Sequence, residues 1–370
     1  MNAYTKQVLV AIVILLNLCS GLGAQEIDVR LSIKYILNNQ YHRPTGFYAT
    51  EQNIRDVIDA TNRTMKRWGR GYRFVIVGNI EEVSETTAPG SSAFFVLDPN
   101  SELGTLEDAA VANPAGYFWR NDAVNVYIVN CCAAAAAIPS IDVDRRAVYF
   151  SADVNNAPCD PGQNARQVVW SHELGHHFNL IHPWNNDGVV DTRPEPSPKQ
   201  CFGSPPLPPP CDAFPCTLGG STECCCSTKV NNLFDAMQSG GWSQTDYDNL
   251  RYNVMGYMAA VDCVPLGEDM ITIDTMRLTD GQLDRWTDAT RQYHANEVSG
   301  LTYFVDQANT SAPFNGYSSD SYRTVADGVT AATQTTGNIA LIRSGSYNET
   351  LTVTSPVTLR SSRGPVTIGQ

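Results

Sequence analysis

Apolar and polar residues alternate over residues 27–36, with Ile27, Val29 and Leu31 on one side, which predicts a β-strand. Thr50 stands as a helix cap before Ile54, Val57, Ile58 and Met65, which recur at helical spacing. Residues 72–77, 124–129 and 147–150 predict three further strands. Residues 164–179 predict a helix carrying Val168, Val169 and Phe178. Strand, helix, several strands and a long helix together predict an α/β layer. Residues 278–297 predict another helix, with Leu283, Trp286, Ala289 and Tyr293 on one face. After Ser299 the pattern changes. Residues 323–332 predict a short helix with Val325 and Val329 inward. Short strands follow at 339–342, 351–353, 357–359 and 366–368, punctuated by Gly345, Pro356 and Gly364. Such brief β rungs do not read as a sandwich.

Between Pro194 and Cys226 the alternation vanishes. Nine prolines and six cysteines fall there, so disulfides rather than an apolar core are expected to hold it. It reads either as a surface loop over a cleft or as an inert elaboration. The chain has 11 cysteines. Residues 1–24 read as a secretory signal: Lys6, an apolar run from Val8 to Leu18, then Gly21, Gly23 and Ala24 before a cleavage point. The apolar run is shorter than the ~20 residues of a spanning helix, so no membrane span is expected. Loss of the signal removes Cys19 and leaves an even set, Cys131, Cys132, Cys159, Cys201, Cys211, Cys216, Cys224, Cys225, Cys226 and Cys263. An even set in an exported chain predicts disulfides of undetermined connectivity. The other reading, a cysteine zinc site at residues 224–226, lacks ligand spacing. Asn62, Asn309 and Asn348 open glycosylation sequons, which matter only in a eukaryotic secretory route. The net charge of −13 argues against a nucleic-acid partner, since phosphate binding needs clustered cations.

The candidate chemistry lies in His172-Glu173-Leu174-Gly175-His176-His177-Phe178-Asn179-Leu180-Ile181-His182, which holds four of the six histidines. His172 and His176, four apart on a helix, share one face and can grip one metal ion, with Glu173 beside it as a base. His182 lies six residues past His176; on a continuing helix it would point away. The helix must therefore end between them. Asn179 is the residue fit to turn, because its short amide tolerates the left-handed conformation. Three imidazoles leave a position open for water, the arrangement of a catalytic zinc. His177 faces elsewhere and reads as a surface or packing residue. His42 and His294 are given no role.

At these residues the chain resembles a metzincin, whose signature is His-Glu-x-x-His-x-x-Gly-x-x-His followed by a methionine turn. Asn179 stands in place of the glycine, and Asn253-Val254-Met255-Gly256-Tyr257 corresponds to the turn. Asp187-Gly188-Val189-Val190-Asp191-Thr192, Cys263, the 278–286 segment and the 48–54 segment resemble the pappalysin-like branch. The resemblance covers roughly residues 27–297. It implies a metzincin-type α/β catalytic domain over residues 25–298, with zinc in a cleft between an upper subdomain to about residue 182 and a disulfide-rich lower subdomain, 183–298. It implies Met255 as an apolar floor below the zinc and Tyr257 as the oxyanion stabiliser. It also implies a possible structural calcium, for which Asp187 and Asp191 are the nearest carboxylates; a loop-capping role is the alternative. Asp262 falls where the pocket for the residue after the scissile bond would form, and a carboxylate there would favour Arg or Lys.

Residues 299–370 resemble the entry of a right-handed parallel β-helix, on Tyr303-Phe304-Val305-Asp306 and Gly345-Ser346-Tyr347-Asn348-Glu349. That likeness implies carbohydrate or a cell surface as a partner, with fewer rungs than a solenoid usually needs. The sequence thus predicts a secreted, extracellular zinc endopeptidase acting on proteins or peptides. Two rivals remain: an adhesion or carbohydrate-binding protein on a peptidase-like scaffold, and a zinc hydrolase of a non-peptide amide. The intact Glu173 counts against the first, and the methionine turn against the second.

Overall fold

The structure is a computed structural model that describes residues 26–97, 102–131, 135–137, 147–152, 164–183, 187–192, 243, 245–246, 252–256 and 276–369. It divides into two compact units, Asp28–Val298 and a mostly C-terminal one, Ser299–Gln370 together with the residues up to Ile27.

In the first unit the apolar strands assemble into one sheet. Its strands are β1 (Ile27–Ile36), β2 (Tyr72–Ile76), β3 (Glu81–Val83), β4 (Val96–Leu97), β5 (Val124–Cys131), β6 (Ala135–Ala137) and β7 (Ala147–Ser151). The order is β2-β1-β5-β7-β6, with β3 pairing with β1 and β4 with β5. β1, β5 and β7 run parallel, in the register Leu31–Val124 and Asn125–Ala147, and β6 is antiparallel to β7. β7 is buried along its whole length, as expected of a parallel strand covered on both faces.

Helix α1 (Glu51–Arg67) is capped as the sequence predicts, the Thr50 side chain accepting from the Asn53 N–H. Asn62 on this helix both donates to and accepts from the Phe74 backbone of β2, so its sequon amide is committed to the fold. Helix α2 (Leu103–Ala112) is not foreseen by the sequence reading; Leu103, Leu106 and Ala110 bury its inner side. Helix α3 (Asn164–His177) carries the histidines, and α4 (Asp280–Tyr293) follows a capping box between Thr279 and Gln282.

Aromatic contacts fix α3 on two sides. Trp170 stacks on Phe150 of β7, with centroids 4.1 Å apart and planes 7° apart, and Tyr48 meets both rings edge-on. Phe178, just past α3, stacks on Trp286 of α4 at 4.5 Å. Trp286 in turn packs on Tyr72 and Phe74 of β2. Offset and edge-on aromatic pairs of this kind each add about 0.5–1.5 kcal/mol beyond area burial. The residues flanking the histidines are thus tied to both the sheet and α4.

The C-terminal unit holds β8 (Thr302–Val305), α5 (Val325–Ala332), β9 (Ile339–Tyr347) and β10 (Thr358–Ile368), with the strands parallel in the order β10-β9-β8. Val325, Val329 and Ala332 of α5 pack with Val305, Ala340, Ile342 and Tyr347. Two expectations fail here. Residues 351–353 form no strand; they lie outside the ladder and Val353 is exposed. The two strands expected at 357–359 and 366–368 are one. Gly364, at φ 134°, does not end β10 but carries an irregularity between Ser362 and Val366. A glycine at such a place marks a bulge rather than a turn.

No helix among the described residues is long and apolar enough to cross a membrane. The 1–24 signal, the 194–226 stretch and every cysteine side chain lie outside the described residues.

Candidate metal centre

Helix α3 puts His172 and His176 on one face, one turn apart. The chain then reverses. Asn179 has φ 65°, the left-handed conformation the sequence required of it. The Asn179 N–H donates to His176 O and the Leu180 N–H to Gly175 O, both at 2.9 Å. These paired bonds are a Schellman closure, with asparagine where glycine is usual. They return the chain so that His182 faces the other two rings.

The three Nε2 atoms converge. They lie 3.2 Å apart for His172–His176, 3.0 Å for His172–His182 and 2.9 Å for His176–His182. The far nitrogens of the two helical rings are bound: His172 Nδ1 donates to Val254 O at 2.7 Å and His176 Nδ1 to Leu180 O at 2.8 Å. That fixes each tautomer and leaves the Nε2 lone pair facing its neighbours. Three neutral nitrogens turned on one another have no proton to share. An ion bound at about 2.0–2.1 Å from each fits such a set.

Electrostatics agree with neutral rings. Burial lowers the pKa of His172. Burial, then the neighbouring His172 and His182, holds His176 well below the ordinary imidazole value. Burial, then His172, pushes His182 down to about 3. At neutral pH all three rings are therefore neutral, the form in which imidazole binds a metal ion. His172, Glu173 and His176 are buried, and His182 is the partly exposed member.

The turn expected to underlie the site is present in its described part, residues 252–256. The Val254 N–H donates to Arg277 O, and the Met255 N–H to Asn253 Oδ1 at 2.9 Å. Met255 is fully buried against α3: a Cβ built on Gly175 would meet its sulfur at 2.5 Å. Gly175 is thus required for the close approach of the methionine, a role the sequence reading does not assign.

Tyr257 and Asp262 lie outside the described residues. Asp187 Oδ1 accepts from the Val189 N–H and Asp191 Oδ2 from the Gly281 N–H, at 3.0 and 2.9 Å. Each carboxylate thus caps a backbone N–H.

A second trio was missed. His177 is a buried residue and not a surface one; its Nε2 lies 2.7 Å from Glu297 Oε2. His294 Nδ1 lies 3.2 Å from the same oxygen. Burial alone would raise the Glu297 carboxyl, but His177 and then His294 outweigh it and hold the group at about 2. The only sequence signal for it is the i, i+3 spacing of His294 and Glu297.

No protein-family model matches the chain. No curated protein matches it either. Among solved structures the chain is similar to one described as mature mirolysin of Tannerella forsythia in complex with a cleaved peptide. The identity is 14%, the match covers 46% of this chain and 69% of that one, and the TM-score is 0.29.

Proposed function

We propose that this chain is an exported zinc endopeptidase. The observation that carries the proposal is the convergence of three imidazole Nε2 atoms across a left-handed Asn179. Zinc, when bound, supplies Lewis acidity, which lowers the pKa of water and polarises a carbonyl. His172, His176 and His182 are the residues to hold it. Glu173, one residue past His172, takes the proton from the attacking water and delivers it to the leaving amine. Met255 provides the apolar floor, and Tyr257 donates to the oxyanion that develops at the scissile carbonyl. Asp262 selects Arg or Lys after the scissile bond.

The test is a mixed peptide library incubated with the purified chain, with its Glu173→Ala variant, and with a chelator present. Cleavage by the wild type alone, lost in both other arms, supports the proposal. Equal cleavage by Glu173→Ala removes that residue from the mechanism. A wild type that retains no zinc and cleaves nothing overturns the proposal. The cleavage profile also tests Asp262: without a preference for Arg or Lys its role falls.

A further inference from the structure

A chain of buried side-chain amides runs from the start of α4 to the methionine turn. Asp187 Oδ2 accepts from Gln282 Nε2 at 3.3 Å. Gln282 Oε1 accepts from Asn253 Nδ2 at 2.9 Å and from the Thr279 N–H at 3.1 Å. Asn253 Oδ1 accepts from the Met255 N–H at 2.9 Å. Asp187, Asn253 and Gln282 are all buried. Val254, between Asn253 and Met255, is the residue whose carbonyl accepts from His172 Nδ1.

This chain has a direction. An amide side chain offers oxygen on one side and N–H on the other, and which is which follows from its partners. Both ends are fixed independently. The Asp187 carboxylate can only accept, so Gln282 must present its nitrogen there. The Met255 N–H can only donate, so Asn253 must present its oxygen there. The middle bond, Asn253 N–H to Gln282 oxygen, then has the one polarity both ends permit. The Thr279 N–H, a third fixed donor, demands the same orientation of Gln282.

We propose that Gln282 is a positioning residue of the metal centre: by holding Asn253 in one orientation it fixes the Val254 carbonyl that aims the His172 ring. This rests on the zinc reading above. Partners of metal-binding histidines that set ring orientation typically carry 10–100-fold in metal affinity. Gln282 acts one step further out, through the backbone of the turn.

The test compares zinc affinity, by chelator competition, with the visible spectrum of the cobalt-loaded chain and the melting temperature. Gln282→Leu breaks the three links that its amide makes; zinc affinity is expected to fall about 10-fold or more and the cobalt bands to move. Thr279→Val removes the hydroxyl that caps α4 and meets Thr192 but keeps the backbone N–H that holds Gln282; it lowers the melting temperature and leaves zinc affinity and cobalt bands unchanged. Gln282→Glu keeps the acceptor for Asn253 but sets two carboxylates face to face, so it too weakens zinc. Adding Asp187→Asn to it restores a donor–acceptor pair, and the double variant recovers wild-type affinity to within a few-fold. This pair keeps the idea testable if Gln282→Leu does not fold. Wild-type zinc affinity and cobalt bands in Gln282→Glu, failure of the double variant to recover, or a Thr279→Val shift as large as that of the Gln282 variants overturns the role of Gln282. A wild-type chain that binds neither zinc nor cobalt overturns the zinc reading and this inference with it.

Discussion

His176 and His177 are neighbours on one helix, yet they enter opposite kinds of site. His176 meets two other imidazoles, Nε2 to Nε2. His177 joins His294 around Glu297, whose single oxygen lies within reach of both rings. Either trio brings three ligand-type atoms within 4.8 Å of one another. What separates them is the counter-charge. In the second trio the carboxylate already stands where a cation would, and the rings' N–H groups point at it. In the first, the outward N–H groups of His172 and His176 are spent on the Val254 and Leu180 carbonyls, and the three Nε2 atoms face one another. Partners outside a cluster that hold its ligand rings with their lone pairs inward favour the first trio as the metal centre.

The sharpest way to break this comparison is to delete the adjacent residues in turn. His176→Ala is expected to abolish zinc retention and reduce peptide cleavage to background, whereas His177→Ala keeps its zinc; elemental analysis of both proteins decides. Zinc lost equally from each would erase the distinction. Next in size is Glu297→Gln, which leaves two buried imidazoles without their charge. Breaking a buried pair by removing one partner costs about 3–5 kcal/mol, to be read from denaturant unfolding at neutral pH with zinc content unchanged.

Acid should separate the trios by pH as well as by residue. The Glu297 carboxyl titrates at about 2 in the folded chain, below its ordinary 4.5. Its stabilisation is therefore complete above about 4.5 and disappears as pH falls toward 2. The zinc-site rings behave as groups that must stay neutral. His182 falls from 6.5 to about 3, so the metal-free chain loses stability already as pH drops below 6.5, when the unfolded chain binds protons first. Unfolding curves of the metal-free protein between pH 7 and pH 3 should show the earlier loss, and His182→Ala should reduce it, with His172 and His176 keeping the remainder. The smallest effect belongs to Asn179. Asn179→Gly should leave stability within about 1 kcal/mol, while Asn179→Ala should cost about 1–2 kcal/mol through its left-handed backbone.

Much of the first trio was legible in the sequence because its geometry is local. The i, i+4 spacing put two rings on one face, and the need to bring His182 back singled out Asn179. Strands β1, β2, β5 and β7 were legible for the same reason, since residues such as Ile27, Val29 and Leu31 announce their own periodicity, whereas β3, β4 and β6 are too short to carry one. Helix α2 was not, because the run Ala109-Ala110-Val111-Ala112 is apolar on every side and hides its period. Residues 351–353 alternate like a strand but find no neighbour to pair with, and alternation is only half of what a strand needs. Gly364 looked like punctuation, yet β10 accommodates it as a local irregularity in an unbroken strand. The second trio depends on which residues share the interior beside α4, and no single segment carries that information. Gly175 was visible as a residue but not as a requirement, since only the buried Met255 explains it.

The reversal at residue 179 also bears on when each trio can form. His172 and His182 are separated by 10 residues along the chain, His177 and Glu297 by 120. Closing the shorter span costs about 2 kcal/mol less in chain entropy. One helix and its closing turn carry all three imidazoles of the first trio, whereas the second waits on the docking of α4, and so does the last refinement of the first, the Val254 carbonyl that aims the His172 ring.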